Sequence, residues 1–502
     1  VSSHSWWLSK SRRAAGLQCE KRLWLQVRGP VQPSPLDSTV EALLAQGREV
    51  GRIARALFPG GVAVDDRPEQ TDEALASTAR LVRDPSVPAI FEATFVHEGV
   101  LARLDVLART SGGRFALCEV KSATQLRDEH LDDVALQLWV ARGAGVDVER
   151  AEVARLDASY VRGPEGLDPR ALFARREVTR EARLLAEDVP EQVVRLGRVL
   201  ELPEPPAIEP SPHCRRPQPC EFYDECRRGQ PQDSIERLPA LREATFHELR
   251  AAGIARIPDI PDDFPLARAQ ARARRAHRES GLVVARDLAS RLADFGPPSD
   301  YLDFEAIAPA VPLFVGSSPY EAIPFQWSLH GVDERGRIEH REFLAEGRED
   351  PRCAVAESLV DALGASERPI VVYSSFEARV LDALAAAVPA HASALAALRA
   401  RLRDLYGVIR HAVYHPRFSG SFSLKQVAPA LALGFGYGGL DEVAHGGDAA
   451  HAFARIVRAE LDAREEARVR AALLRYCARD TEALVRTHLA LLEHLRSVRD
   501  RP

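Results

Sequence analysis

No run of apolar residues in this 502-residue chain approaches the roughly 20 that a membrane-spanning helix needs. The opening stretch Val1 to Lys10 lacks the apolar core of a signal peptide, so the expectation is a cytoplasmic protein with no membrane contact. A positive charge excess is missing too. The net charge of −6 gives no global attraction to nucleic acid, and any such binding must come from local basic patches. Paired cysteines are also lacking: seven is an odd number, which argues against a disulfide framework and leaves metal ligation or simple burial. No internal repeat of solenoid length is visible, which excludes a repeat array.

What is present is the composition of a folded protein. Hydrophobic residues at 46% and charged residues at 28% exclude a disordered or fibrous chain. At roughly 100–200 residues per domain, the length predicts about three compact units.

The segment from Leu17 to Phe58 reads as helices around a proline-rich break at Pro30 to Pro35. Apolar runs at Ala89 to Val96, Val100 to Ala108 and Phe115 to Val120 read as strands, with Gly112 and Gly113 in the last turn. A helix through Leu131 and Leu138 and a strand at Val153 to Ala158 complete an α/β pattern. Pro203 to Pro219 marks a boundary, and helical stretches follow to about Leu292. Strands are then expected at Tyr301 to Ile307, Phe325 to His330, Ile338 to Leu344 and Ile370 to Tyr373, with helices after the third and fourth. That is an RNase H-like order.

In Tyr301-Leu-Asp303-Phe-Glu305 the two carboxylates stand two residues apart on one strand, so both project from one face while Leu302 and Phe304 point to the other. A metal ion can bridge them. Glu377 follows a buried strand and begins a helix, and Tyr476 and Asp480 are spaced to share a helical face. The plainer reading of any one of these is a solvent-facing carboxylate or a core aromatic. In order, the elements resemble the three exonuclease motifs of the DnaQ-like family, over about Asp300 to His494. The resemblance implies an RNase H-like fold in which Asp303, Glu305, Glu377 and Asp480 hold two divalent ions, Mg²⁺ or Mn²⁺, and Tyr476 orients the attacking water. Glu377 departs from that pattern, which usually has aspartate there.

Earlier in the chain, hairpin pairing of the strands around Leu101 to Leu107 and Leu117 to Lys121 brings Asp105, Glu119 and Lys121 together. Two carboxylates can hold a divalent ion against a phosphate, and a lysine can orient water or offset phosphoryl charge. An exposed charged sheet face is the plainer alternative. With Gln137 on the following helix, and Trp139 near where a tyrosine is often found, the set resembles the RecB-like branch of the PD-(D/E)XK nucleases. Glu92 reads as a surface strand carboxylate outside this set.

Cys214, Cys220 and Cys226 are separated by five residues each, and Cys19 precedes the nuclease strands. One early and three late cysteines around a RecB-like core resemble the iron–sulfur nucleases of the AddB type and their CRISPR-associated relatives, which implies a [4Fe–4S] cluster. Zinc also accepts four thiolates, and His213 offers a substitute ligand. Cys118, Cys353 and Cys477 read as small packed residues.

Leu249 to Ile260 resembles a helix-hairpin-helix segment weakly, with a plain helical linker as the competing reading. A basic and aromatic stretch, from Arg401 to Lys425 and including Tyr406, Tyr414, Phe418 and Phe422, can grip phosphates and stack bases, or form a loop over the core.

Together these features resemble a bacterial family that fuses a RecB-like nuclease to a DnaQ-like exonuclease. The expected organisation is a PD-(D/E)XK domain with its cysteine cluster over 1–232, a helical linker over 233–297 and an RNase H-like domain over 298–502. The expected activity is metal-dependent hydrolysis of DNA that is single-stranded or has free ends. RNA 3′-end trimming, or a non-catalytic nucleic-acid-binding module stabilised by the cluster, are the alternatives.

Overall fold

The structure is a computed structural model that describes residues 7–29, 38–64, 70–439, 443 and 446–499. The proline-rich break at Pro30 to Pro35 lies outside the described residues. The fold is mixed α/β. Among the described residues no single helix is long and apolar enough to cross a membrane.

The chain divides into two compact units, Val1–Arg227 with Pro309–Glu321, and Arg228–Ala308 with Ala322–Pro502. The expected third unit does not stand apart. Ile235, Leu249, Ile257, Ala273 and Leu288 of the helical segment share one apolar core with Tyr301, Val371 and Leu491. Amphipathic helices must bury their apolar stripe somewhere, and this segment buries it in the second unit.

The first unit is built on a seven-stranded sheet. Its strands are β1 (Leu8–Ser9), β2 (Val62–Ala63), β3 (Ala89–His97), β4 (Val100–Arg109), β5 (Phe115–Lys121), β6 (Val148–Leu156) and β7 (Phe173–Glu177). The path runs β2-β3-β4-β5-β6-β7, and β1 pairs parallel to β4. The β3-β4-β5 meander is antiparallel, and β6 returns parallel to β5 through the helix Asp128–Gly143. That helix buries Val134, Ala135, Leu136, Leu138, Val140 and Ala141, so it is apolar nearly all round and lies inside the unit. Pro309–Glu321 supplies Ala310 and Val311 to the core around Phe91 and Val106, and Tyr320 hydrogen-bonds Ser122.

The second unit contains the two-stranded pair β8 (Val283–Val284) with β14 (Val413–Tyr414), and a five-stranded sheet. The sheet comprises β9 (Ser299–Ile307), β10 (Ile323–Val332), β11 (Ile338–Leu344), β12 (Ile370–Val372) and β13 (Leu402–Asp404), in the order β11-β10-β9-β12-β13. The first three are antiparallel neighbours, while β9, β12 and β13 run parallel. One face buries Leu302, Phe304, Trp327 and Leu329 under the helices Arg352–Leu363 and Phe376–Ala387. Each such side chain contributes about 1.5–3 kcal/mol relative to exposure. The other face carries Tyr301, Asp303 and Glu305, and the 37-residue helix Ala463–Arg499 packs across it. The strand alternation expected for Asp303 and Glu305 is therefore present.

The weak helix-hairpin-helix resemblance is not realised. After the helix Glu243–Ala251 and the turn at Gly253, only the 3₁₀ turn Ile257–Asp259 follows.

Candidate active sites and cysteine pocket

In the second unit, four remote segments meet around a pocket of about 440 Å³ lined by Asp303, Glu377, Lys425, Tyr476 and Asp480 among others. β9 supplies Asp303 and Glu305. Pairing with β10 fixes their register opposite Ser328 and Gln326, and the ladder shifts between Pro324 and Gln326. Glu377 sits in the first turn of its helix, where the helix dipole favours negative charge. The Ser374 hydroxyl donates to its Oε2 at 3.1 Å. Tyr476 and Asp480 lie on one face of the long helix, and the Tyr476 phenol shares a hydrogen bond with Asp480.

These carboxyls are crowded. Burial, then the charges of Asp480, Glu305 and Glu377, holds Asp303 well above the usual carboxylate range. Glu305 and Asp480 are raised with burial as the first cause, and burial pushes Glu377 up to about 7. Lys425 is the nearby cation that opposes this, acting on both Glu305 and Asp480. Its ammonium also stands 4.8 Å from the centre of the Tyr476 ring. Hard oxygen donors with this excess of negative charge suit a divalent ion such as Mg²⁺ or Mn²⁺.

Ligand atoms of Asp303, Glu305 and Cys477 all lie within 4.8 Å of one another. The Cys477 thiol is 3.9 Å from Asp303 Oδ2. Burial and the neighbouring carboxylates hold it strongly toward the neutral thiol, which agrees with a small packed residue. Cys118 is likewise buried, but Cys353 is exposed, contrary to expectation.

In the first unit, β4 and β5 place Asp105 and Glu119 each one residue beyond the Val106–Cys118 pair. Asp105 Oδ2 accepts the Val120 N–H at 2.7 Å. Glu119, only 1% exposed, receives Lys121 Nζ and Lys10 Nζ on Oε1, each at 2.8 Å, and Gln137 Nε2 on Oε2 at 2.5 Å. Lys121 also pairs with Asp133. Burial works against the Glu119 charge, but Lys10 and Lys121 keep it ionised and far below its ordinary pKa. Burial and the Glu119 charge push Asp105 up to about 8. All four expected residues are thus together. Trp139 packs edge-on against His97, with ring centres 4.6 Å apart.

Glu92, read as a plain surface carboxylate, has a left-handed backbone (φ 57°) at a gap in the β3-β4 ladder. Its charge acts on Asp105, and Arg55 lies 3.6 Å from its Oε1.

Cys19, Cys214, Cys220 and Cys226 line one small pocket, with His213 beside them. Independent bonds close it. Gln18 Nε2 donates to the His213 and Gln218 carbonyls at 2.9 and 2.8 Å, and Arg22 pairs with Glu221 at 2.8 Å. Burial and the other thiols push Cys214 up to about 11. Lys21 and Arg22 also line the pocket and favour the ionised form of Cys226 and Cys220, and four sulfurs gathered there fit a cationic centre that draws them into the thiolate form. His213 turns its Nδ1 to Ser211 Oγ at 2.5 Å and its Nε2 to Cys214 Sγ at 3.5 Å.

Four groups at these sites lie outside the sequence motifs. Lys10, Asp133 and Ser374 belong to no spacing pattern, and Lys425 read as part of a surface stretch. The proposed stacking aromatics of that stretch are partly core residues: Tyr414 and Phe418 are fully buried.

A family described as a domain of unknown function (DUF2779) matches residues 300–423, which hold Asp303, Glu305 and Glu377. No curated protein matches the chain. The solved crystal structure of SSO0001 is similar over 44% of this chain and 85% of its own, at 14% identity and a TM-score of 0.19, values too low to define a fold.

Proposed function

We propose that the chain is a metal-dependent DNA nuclease of the fused RecB-like and DnaQ-like kind, with two separate hydrolytic sites and a cysteine-held metal centre, acting in the cytoplasm. The observation that carries this reading is the convergence of Asp303, Glu377, Asp480 and Tyr476, drawn from segments up to 177 residues apart, on one pocket, with the Glu305 carboxylate within 4.8 Å of that of Asp303.

Asp303, Glu305, Glu377 and Asp480 would hold Mg²⁺ or Mn²⁺, which when bound supplies an activated water and charge stabilisation for the leaving oxygen. The chain's own groups do the rest. The Tyr476 phenol is held in its protonated form by burial and the surrounding carboxylates and donates to Asp480, which leaves its oxygen fixed in place to accept from the attacking water and orient it. Lys425 offsets negative charge that builds on the phosphoryl oxygens. In the first unit Asp105 and Glu119 would hold the ion, Gln137 fixes the orientation of Glu119, and Lys121 offers the nearby ammonium. Cys19, Cys214, Cys220 and Cys226 would hold a [4Fe–4S] cluster, with zinc as the alternative occupant.

The test is cleavage of end-labelled single- and double-stranded DNA and RNA with magnesium, comparing wild type with Asp303→Ala, Asp105→Ala and the double variant. Loss of a distinct product pattern in each single variant, and of all cleavage in the double, is expected. Equal cleavage of matched RNA would move the reading to RNA trimming. Metal-dependent cleavage absent from the wild type would leave a non-catalytic binding module.

A further inference from the structure

A second cavity in the same unit, of about 610 Å³, is lined by Arg237, Arg256, Arg417, Lys425, His277 and the carboxylate Asp233. Four cations thus face one acid. Arg256 holds Asp233 through both guanidinium edges, Nε at 3.0 Å from Oδ1 and Nη2 at 2.7 Å from Oδ2, which neutralises that acid. Arg237 is anchored to Ser419 Oγ at 3.0 Å. Arg417 is exposed, and among the described residues no carboxylate pairs with it.

The cavity is a constructed feature of the fold. Gly420 has a left-handed backbone (φ 82°), and a Cβ there would stand 2.3 Å from the Arg237 carbonyl oxygen. Only glycine lets the 416–420 loop close against the Arg237 backbone. His277 Nε2 is buried with no hydrogen-bond partner. That atom is therefore available to a group entering the cavity. Lys425 lines this cavity and the acidic pocket alike.

We propose that this cavity binds the phosphodiester backbone of a single nucleic-acid strand and delivers it to the acidic pocket across Lys425. Its volume is that of a small-ligand pocket, which takes the phosphate and sugar of one strand rather than a duplex. Arginine forks and a lysine point charge are the groups that grip phosphate. The segment expected to be a plain linker thereby becomes part of a binding site. That segment contributes Arg237, Arg256 and His277 to the lining, and the later stretch contributes Arg417 and Lys425.

The inference rests on the nuclease reading of the acidic pocket, and the two fail separately. Binding is measured on the full chain in chelator, by fluorescence anisotropy, with labelled oligothymidylate and oligouridylate of about 20 nucleotides. Arg417→Gln is expected to weaken both about 5–10-fold, and Arg417→Gln with Arg256→Gln further. Each lost phosphate contact should flatten the dependence of log K on log salt by about 0.7. Arg417→Lys should keep most of the affinity. Weakening with only one of the two sugars would still support the strand site and assign its preference. Affinity and salt slope unchanged in variants of unaltered thermal midpoint overturn the proposal. If the variants lose binding but the wild type never cleaves with magnesium, the strand site stands and the nuclease reading falls.

Discussion

Lys10 Nζ lies 2.8 Å from Glu119 Oε1, across 109 residues of sequence. Two ammonium groups therefore serve one carboxylate, since Lys121 reaches the same oxygen. Lys10 opens the helix Lys10–Gln18, which Ser9 caps and which ends at Cys19. At about 1.5 Å per residue this is a strut of roughly 13 Å between the Asp105 and Glu119 cluster and the cysteine pocket.

The first prediction concerns Lys10 itself. In an Asp303→Ala background, which isolates the first unit, Lys10→Met should lower magnesium-dependent cleavage about 10- to 100-fold, the range for a group that orients a metal ligand. The Lys10 side chain is 36% exposed and Lys121 still pairs with Glu119 in its absence, so the effect on stability should stay near about 1 kcal/mol or less. Cleavage at the wild-type rate would mean that Lys121 alone suffices.

The strut predicts a second effect. Cys19→Ser should remove the bound metal, read as loss of iron and acid-labile sulfide or of zinc in elemental analysis. It should also depress first-unit cleavage as Lys10→Met does, because the helix loses its anchor at the far end. Cleavage dependent on Asp303 should persist, since that site has its own core. A variant that keeps its metal, or loses both cleavage activities together, contradicts this coupling.

Strand-borne chemistry was legible in the sequence because a strand's period of two is short and rigid. Asp303 and Glu305 had to share a face, and the β4-β5 hairpin had to bring Asp105 near Glu119. Lys10 and Asp133 were not legible, because nothing in local spacing says that a helix beginning at Lys10 lies over a strand ending at Lys121. Lys425 was visible only as one cation in a basic stretch, and its place among carboxylates is a tertiary fact. Periodicity also cannot distinguish aromatics that stack bases from those that fill a core, so the sequence left Tyr414 and Phe418 open between the two, and both are buried. The same blindness applies to the segment 233–297: its amphipathic helices were evident, but the core that receives them was not.

Glu377 tests the second site most sharply, because its chain is one methylene longer than the aspartate usual in the DnaQ-like motif. It is 3% exposed and held by Ser374, so the carboxylate is already aimed. In an Asp105→Ala background, Glu377→Gln keeps the volume and removes the charge, and should reduce cleavage at least about 10–100-fold. Glu377→Asp should retain more activity than Glu377→Gln if the negative charge is what matters. Equal activity of Glu377→Gln and wild type would remove Glu377 from the metal-holding set.

Acid should destabilise the second unit through His488. Its ring is fully buried, its Nδ1 meets the Tyr301 hydroxyl at 2.8 Å, and burial lowers its pKa to about 4. An unfolded histidine titrates near 6.5. Between those values the unfolded chain takes up a proton that the folded chain refuses, so this contribution is fully present above about pH 6.5 and is lost as pH falls toward 4. From pH 7 to pH 5 the loss amounts to about 2 kcal/mol. The crowded carboxyls around Asp303 have raised pKa values and act with the opposite sign, so the comparison must be between proteins at each pH. His488→Phe keeps a ring in the core and removes the titration. Its urea midpoint should fall less than that of the wild type between pH 7 and pH 5, and parallel losses in the two proteins would show that His488 carries no part of the acid sensitivity.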